Sequence, residues 1–288
     1  MQEQIGIPAC FSAGENDSAT ITRSGQNVFM SVYRTKLADQ CRLITVTWCK
    51  NLLLHGLSIS VDGGGDRDTQ STCKIELKPW YFWRKHGSKR FAVEGKAVDV
   101  FWDLKIARFN GETEPISDYY VAVVFDGEVV LLLGNLRKEA FRKTGCRPSL
   151  IDPILISRKE HIFGKRKFTT RLKFHDKGSL HEISIECKNR GGGGGVEPEM
   201  EIRIDGHLVI HVKHLQWKFR GNELIHLNKA KIEVYWDVHD WLFSPGLRHA
   251  LFIFKPTLLA ASKSSPLSGP TASGSPDFCL FLYAWKVE

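Results

Sequence analysis

The residues best placed to do chemistry lie on two short strings of alternating type. Residues 98–104 read Val-Asp-Val-Phe-Trp-Asp-Leu, and residues 232–238 read Ile-Glu-Val-Tyr-Trp-Asp-Val. A period of two is the pattern of a half-buried strand. One face then holds Val98, Val100, Trp102 and Leu104, and the other Asp99, Phe101 and Asp103. The second string sets Ile232, Val234, Trp236 and Val238 against Glu233, Tyr235 and Asp237. Paired carboxylates invite general acid–base work. However, acids four apart on a strand stand roughly 13 Å from each other at about 3.3 Å per residue. Glycosidase pairs need about 5–9.5 Å, so neither string supplies one. Two roles remain. The acids are a solvated face pairing with Arg84, Lys218 or Arg220 on a neighbouring strand, or Phe101, Asp103, Tyr235 and Asp237 form a ligand-binding platform for a sugar or a flat apolar group.

Other chemistry is thinly supported. Of the eleven histidines, His207 and His211 share a strand face four residues apart while His214 is out of phase. That spread is too wide for one metal, and His161, His175 and His181 have no ligand partner at recognisable spacing. The seven cysteines (10, 41, 49, 73, 146, 187, 279) are odd in number and scattered, which suits reduced thiols better than a disulfide framework or a zinc site. Nucleophile-elbow, phosphate-loop and HExxH strings are missing from the sequence. We therefore expect no catalytic residues, no metal and no cofactor.

Charge is the feature with partner value. Residues 137–173 hold twelve Lys/Arg against Glu139, Asp152 and Glu160, while the whole chain carries a net charge of +8. The excess is thus concentrated in one segment, and an electrostatic footprint of that kind speaks of partners rather than of fold. Lys165, Arg166 and Lys167 are its densest run and the candidate anion-binding residues. They could meet the phosphates of nucleic acid or an anionic membrane surface. Nucleic-acid modules interleave exposed aromatics with their cations, and in this segment only Phe163 and Phe168 qualify. A solvated basic linker is the competing reading.

The elements that position these residues are strands. Val28–Arg34, Leu43–Trp48, Leu57–Val61, Cys73–Trp80, Val98–Leu104 and Tyr119–Phe125 alternate and are rich in β-branched and aromatic types. Asp126-Gly127 and Asp205-Gly206 lie between apolar runs and predict tight hairpins, because both turn positions need positive φ. One helix is predicted, with Asn135 capping Leu136–Thr144 and Gly145 closing it. The eight tryptophans (48, 80, 83, 102, 217, 236, 241, 285) sit in or beside strand patterns and read as core, or as the lining of a cavity for a small apolar ligand.

The second half repeats the first. From Trp83 to Asp103 the chain matches Trp217–Asp237 without a gap at an offset of 134, placing Gly87 on Gly221, Val100 on Val234 and Trp102 on Trp236. Cys49-Lys50-Asn51 is answered by Cys187-Lys188-Asn189, and Val61-Asp62-Gly63 by Ile204-Asp205-Gly206.

Leu43–Asn51, Val100–Leu104, Gly134–Phe141, Lys159–Gly164, Trp217–Asn222 and Leu282–Lys286 resemble the plant domain-of-unknown-function family 868. The resemblance spans about residues 28–288. It implies a plant origin and an all-β domain, and brings no activity, cofactor or site residue with it.

The expected architecture is all-β: an internally duplicated antiparallel β-sandwich or barrel, in two tandem copies with one short helix between them. Residues 1–25 are expected to be a disordered N-terminal segment, 26–145 the first copy, 146–160 a linker and 161–288 the second copy, with 256–277 a mobile loop. A single sandwich merged from both copies is the alternative. The early Glu3, Glu15 and Asp17 without an apolar run predict no signal peptide, and no run is long enough for a transmembrane helix. A soluble cytoplasmic or nuclear protein is expected. The function reading is a non-enzymatic binding or interaction module for a protein or small apolar ligand. Its rivals are nucleic-acid or anionic-lipid binding through residues 137–173, and an enzyme of unrecognised type.

Overall fold

The computed structural model describes residues 27–37, 40–50, 55–63, 70–77, 85–174, 179–192, 195–227, 230–258 and 278–286. The expectations for 1–25 and for 259–277 fall outside them. The chain divides into two compact units, Met1–Leu155 and Ile156–Glu288.

In the first unit β1 (Asn27–Leu37), β2 (Gln40–Lys50), β3 (His55–Asp62) and β4 (Gln70–Leu77) form one antiparallel meander. A second meander is built from β5 (His86–Val93), β6 (Lys96–Asp103), β7 (Tyr120–Phe125) and β8 (Glu128–Gly134). Helix α1 (Arg137–Thr144) follows, and the two-residue β9 (Arg147–Pro148) adds parallel to β8. Strand alternation directs Ile44, Val46, Trp48, Ile59 and Val61 from one sheet against Val98, Val100, Trp102, Val121 and Val123 from the other. Each large aliphatic side chain so removed from water stabilises the fold by about 1.5–3 kcal/mol.

The second unit repeats this plan. After β10 (Ile154–Gly164), the strands β11 (Lys167–Leu172), β12 (His181–Gly192), β13 (Gly195–Ile204) and β14 (His207–Val212) form an antiparallel meander. Then come β15 (Arg220–Leu227), β16 (Ala230–Asp237), helix α2 (His239–Phe243), β17 (Arg248–Leu258) and β18 (Cys279–Lys286). These last four strands pair in order, and β10 pairs parallel to β18. Ile183, Ile185, Met200 and Ile202 meet Ile232, Val234, Trp236, Phe252, Phe254, Leu280 and Leu282 in a core of the unit's own. Within each unit the two sheets remain separate rather than closing into a barrel.

The duplication extends to hydrogen bonds. Gly87 pairs with Trp102 as Gly221 pairs with Trp236. The Leu104 N–H donates to Lys85 O at 2.7 Å, and its counterpart Val238 N–H donates to Phe219 O at 2.9 Å. Both Asp-Gly hairpins have the required positive φ at each turn position, and Glu94-Gly95 joins β5 to β6 in the same way.

Three local expectations need correction. The Asn135 side chain does not cap α1; its Oδ1 accepts the Asp118 and Tyr119 N–H groups at 2.7 and 3.3 Å, and the helix starts beyond Leu136 without a side-chain cap. Residues 146–160 are not simply a linker, since they carry β9 and the first seven residues of β10. Of the 256–277 segment expected as a mobile loop, Pro256, Thr257 and Leu258 are strand residues that pair with Ile232, Lys231 and Ala230. The absent proline N–H at 256 did not end the strand.

Candidate functional site

One end of the second unit's β15–β16–β17–β18–β10 sheet collects the groups with most chemical potential. The register places it. Arg248 on β17 stands opposite Lys286 on β18, and Lys286 stands beside Gly164 on β10. Lys165, Arg166 and Lys167 follow at once in the turn from β10 into β11, and all five cations are exposed. Glycine is needed at 164 because a Cβ there would lie 2.8 Å from Lys167 O and 3.3 Å from the Phe168 ring. Arg166 and Lys286 are close enough to act together on the Cys187 thiol; even so, burial pushes that thiol up to about 12. Among the described residues none of the five cations is in an ion pair.

Toward β15 the same end becomes aromatic. Trp217 is 81% exposed and Phe243 53% exposed. The turn that projects Trp217 is fixed by the Trp217 and Lys218 N–H groups donating to His214 O at 2.9 and 3.2 Å, with Leu215 fully buried beneath. Phe219 meets His239 and Phe243 edge-on, with centroids 5.3 and 5.7 Å away, and the Arg220 guanidinium lies 5.5 Å from its ring. Helix α2 holds Phe243 there through Trp241, whose Nε1–H donates to Ala284 O at 2.8 Å and whose ring stacks on Phe168. The acids of this end are occupied. Asp237 accepts from Arg220 Nε at 2.8 Å, and Asp240 is held below the usual carboxylate range chiefly by its hydrogen bond with His239.

Behind this end, β10, β17 and β18 form a layer of rings. His161 stacks on Tyr283 at 4.6 Å, and its Nδ1 accepts the Trp285 Nε1–H at 3.0 Å. Burial, reinforced by His249 and Lys159, lowers His161 to about 4, so it is neutral at physiological pH and suited to accept.

The candidate platform residues lie on β6 in the first unit and on β16 in the second. Phe101 packs with Tyr120, Ala122 and Val124 in a small cluster with Ala140 of α1. Tyr235 is 38% exposed and donates its hydroxyl to Glu233 at 2.7 Å. Asp103 and Asp237 do the same local job in both units, accepting the N–H of Lys105 and of His239 at 3.1 Å two residues on. Of the partners expected for the acids, Arg220 does pair with Asp237, while Asp99 pairs with Arg90.

Tryptophan is core at 48, 102, 236, 241 and 285, and surface at 217; Trp80 and Trp83 lie outside the described residues. Phe168, counted as a surface aromatic, is buried. Trp217, Phe243, Lys218, Arg248 and Lys286 were missed as site residues. Trp217 is in phase with the apolar Leu215 and Phe219, but it precedes β15 and no strand alternation governs it. A second grouping also escaped the sequence. Glu199, Glu201 and His211 bring one ligand atom each within 4.8 Å on adjacent strands. Lys188 and Arg203 already neutralise Glu201, at 3.1 and 2.8 Å, which makes this a charge-compensated surface ladder.

A family described as "Plant protein of unknown function (DUF868)" matches residues 24–286. The chain belongs to this family. No curated protein matches it in sequence. Among solved structures, the crystal structure of kievitone hydratase from Nectria haematococca is 9% identical, with 83% of this chain and 86% of that chain covered and a TM-score of 0.21. At that score the likeness carries no argument. For this DUF868 member no described helix is long and apolar enough to cross a membrane.

Proposed function

We propose that this DUF868 protein is a non-enzymatic binding module that holds a negatively charged partner on the cationic end of its second unit. The observation that carries the reading is the register Arg248–Lys286–Gly164, which draws Lys165, Arg166, Lys167, Arg248 and Lys286 from three strands and a turn to one sheet end. Glu186, opposite Lys167, and Asp240, near Arg248, offset only part of this charge, and the remaining cations repel one another, a repulsion that a bound anion relieves. An apolar ligand behind Trp102 and Trp236 is the weaker reading, because both indoles are wedged against Gly87 and Gly221 on the paired strand. The acids that could have supported an enzyme serve turns and ion pairs instead.

The test is retention on heparin as salt rises, comparing wild type with Lys165→Ser/Arg166→Ser/Lys167→Ser and with Arg248→Ser/Lys286→Ser. Both sets should elute at lower salt, since counterion release scales with the number of cations engaged. Wild type that fails to bind at about 0.15 M salt, or binds tightly and indifferently to all five substitutions, overturns the reading.

A further inference from the structure

Cations alone do not say which anion; the aromatics beside them do. Building on the anionic-partner reading above, we propose that this surface binds single-stranded nucleic acid, with bases stacked on Trp217 and Phe243 and the sugar-phosphate backbone running along Lys218, Arg248, Lys286 and the Lys165–Lys167 turn.

Two large aromatic side chains are exposed beside the cations. Trp217 and Phe243 are among the exposed large hydrophobics of the chain, and both lie at the same sheet end as the unpaired cations. Single-strand binders combine a cationic track with aromatic side chains on which successive bases stack, each such stack contributing about 1–3 kcal/mol. Here the two halves of that arrangement come from different elements: α2 and the turn before β15 give the rings, and β17, β18 and the β10–β11 turn give the charge. From β15 to β10 is four strand spacings, roughly 19 Å at about 4.8 Å each, which is the length of several nucleotides rather than of one phosphate. A duplex hides its base faces and could use only the cations.

The acids argue against a membrane. Asp237 and Asp240 stand among the rings, bonded to Arg220 at 2.8 Å and to His239 at 3.1 Å. Seating Trp217 and Phe243 in a lipid interface would bring these carboxylates against anionic headgroups and strip them of water. Beside a nucleobase they are compatible, since a carboxylate accepts from an exocyclic amino group. An acidic peptide would satisfy the cations but gives no reason for two exposed aromatic side chains.

The test uses the full chain and fluorescence anisotropy with a labelled twelve-nucleotide oligo-dC and oligo-C. A duplex of equal length, heparin, and vesicles of phosphatidylcholine with one-fifth phosphatidylserine serve as competitors. The expected result is binding to the single strands in preference to duplex. Trp217→Ala should weaken it roughly 5- to 100-fold while leaving heparin elution unchanged. Phe243→Leu, which keeps an apolar side chain on α2, should weaken it less. The Trp217 substitution removes a side chain that is mostly in water, so the fold survives it. Equal affinity for single strand, duplex and heparin, with no effect of Trp217→Ala, overturns this inference and leaves the anionic-partner reading standing. Binding to the vesicles alone, lost in Trp217→Ala, overturns it in favour of a membrane surface. Failure to bind oligonucleotide, vesicle or heparin overturns both readings together.

Discussion

Replacing Gly221 with Ala puts a methyl group where the Trp236 indole already lies. A Cβ at 221 would stand 2.8 and 2.9 Å from Cε2 and Cη2 and nearer still to Cζ2. The indole cannot swing aside freely, because its Nε1–H donates to Lys218 O at 3.1 Å and the ring is buried in the second unit's core. At the repeat-related Gly87 the same Cβ would be 3.1 Å from Cζ2 and 3.4 Å from Cη2 of Trp102, a tight but relievable contact. Alanine in a strand gains about 0.5–1 kcal/mol over glycine, and overpacking a core costs about 1–3 kcal/mol. The balance is a loss of about 1–2 kcal/mol for Gly221→Ala and a change within about 0.5 kcal/mol for Gly87→Ala. Urea unfolding followed by far-UV circular dichroism reads the difference as a lower midpoint at unchanged slope. A cycle with Trp236→Phe isolates its cause. The smaller ring frees the space at 221, so the double variant should recover about 1 kcal/mol relative to additivity. Gly221→Ala as stable as wild type, or strict additivity in the cycle, would refute the wedge between strand glycine and indole.

Four further outcomes follow from particular groups. His161 is depressed to about 4 from an unfolded value near 6.5, so the unfolded chain takes up a proton that the folded chain refuses; stability is full above pH 6.5 and falls by up to about 3 kcal/mol as pH drops to 4. His161→Gln keeps an acceptor for Trp285 and should flatten that dependence, which unfolding curves at pH 7 and pH 4.5 will show. Asp103→Ala should lower stability by about 0.5–1.5 kcal/mol through the lost turn hydrogen bond, while leaving polyanion binding intact in a heparin assay. Cys187, pushed up to about 12 by burial, should resist iodoacetamide at pH 8 while the exposed Cys41 reacts, as peptide mapping by mass spectrometry can establish. Trp241→Phe loses the bond to Ala284 O and part of the stack on Phe168; it should cost about 1–3 kcal/mol in urea and loosen α2 enough to weaken oligonucleotide binding.

What could be read from the residues was set by distance along the chain. Alternation over six to eight residues identified the β6 and β16 faces, and their buried members Val98, Val100, Trp102, Ile232, Val234 and Trp236 are core. The Asp-Gly turns were readable because two adjacent residues must both take positive φ, a local demand few pairs meet. The repeat was readable because Gly87 and Gly221 keep the same strand partner, and a glycine opposite a tryptophan leaves its mark in both copies. Local pattern failed where tertiary contact decided. Asn135 has the type of a helix cap, yet its oxygen is taken by the Asp118 and Tyr119 N–H groups across the β7 entry, so α1 starts without it.

The cationic end shows the same limit from the side of function. Lys165, Arg166 and Lys167 are visible as a run, but a run of charge on its own is equally well a solvated linker. What turns it into a surface is the parallel pairing of β10 with β18, which sets Gly164 beside Lys286, a residue more than a hundred positions away, with Arg248 next across the sheet. Antiparallel neighbours announce themselves through short turns, whereas a parallel contact between the first and last strands of a unit has no local signature. Trp217 was hidden for a related reason: it is apolar and in phase with a coming strand, and only the turn closed by His214 O shows that the strand has not yet begun. Both components of the surface therefore depend on where strands end. Strand ends are where backbone pairing stops restricting side-chain direction, and where loops carry binding residues on a rigid scaffold. The sheet of the second unit supplies that scaffold. Its rings and cations are held by Gly164, Trp241 and Leu215, residues that would themselves touch no partner.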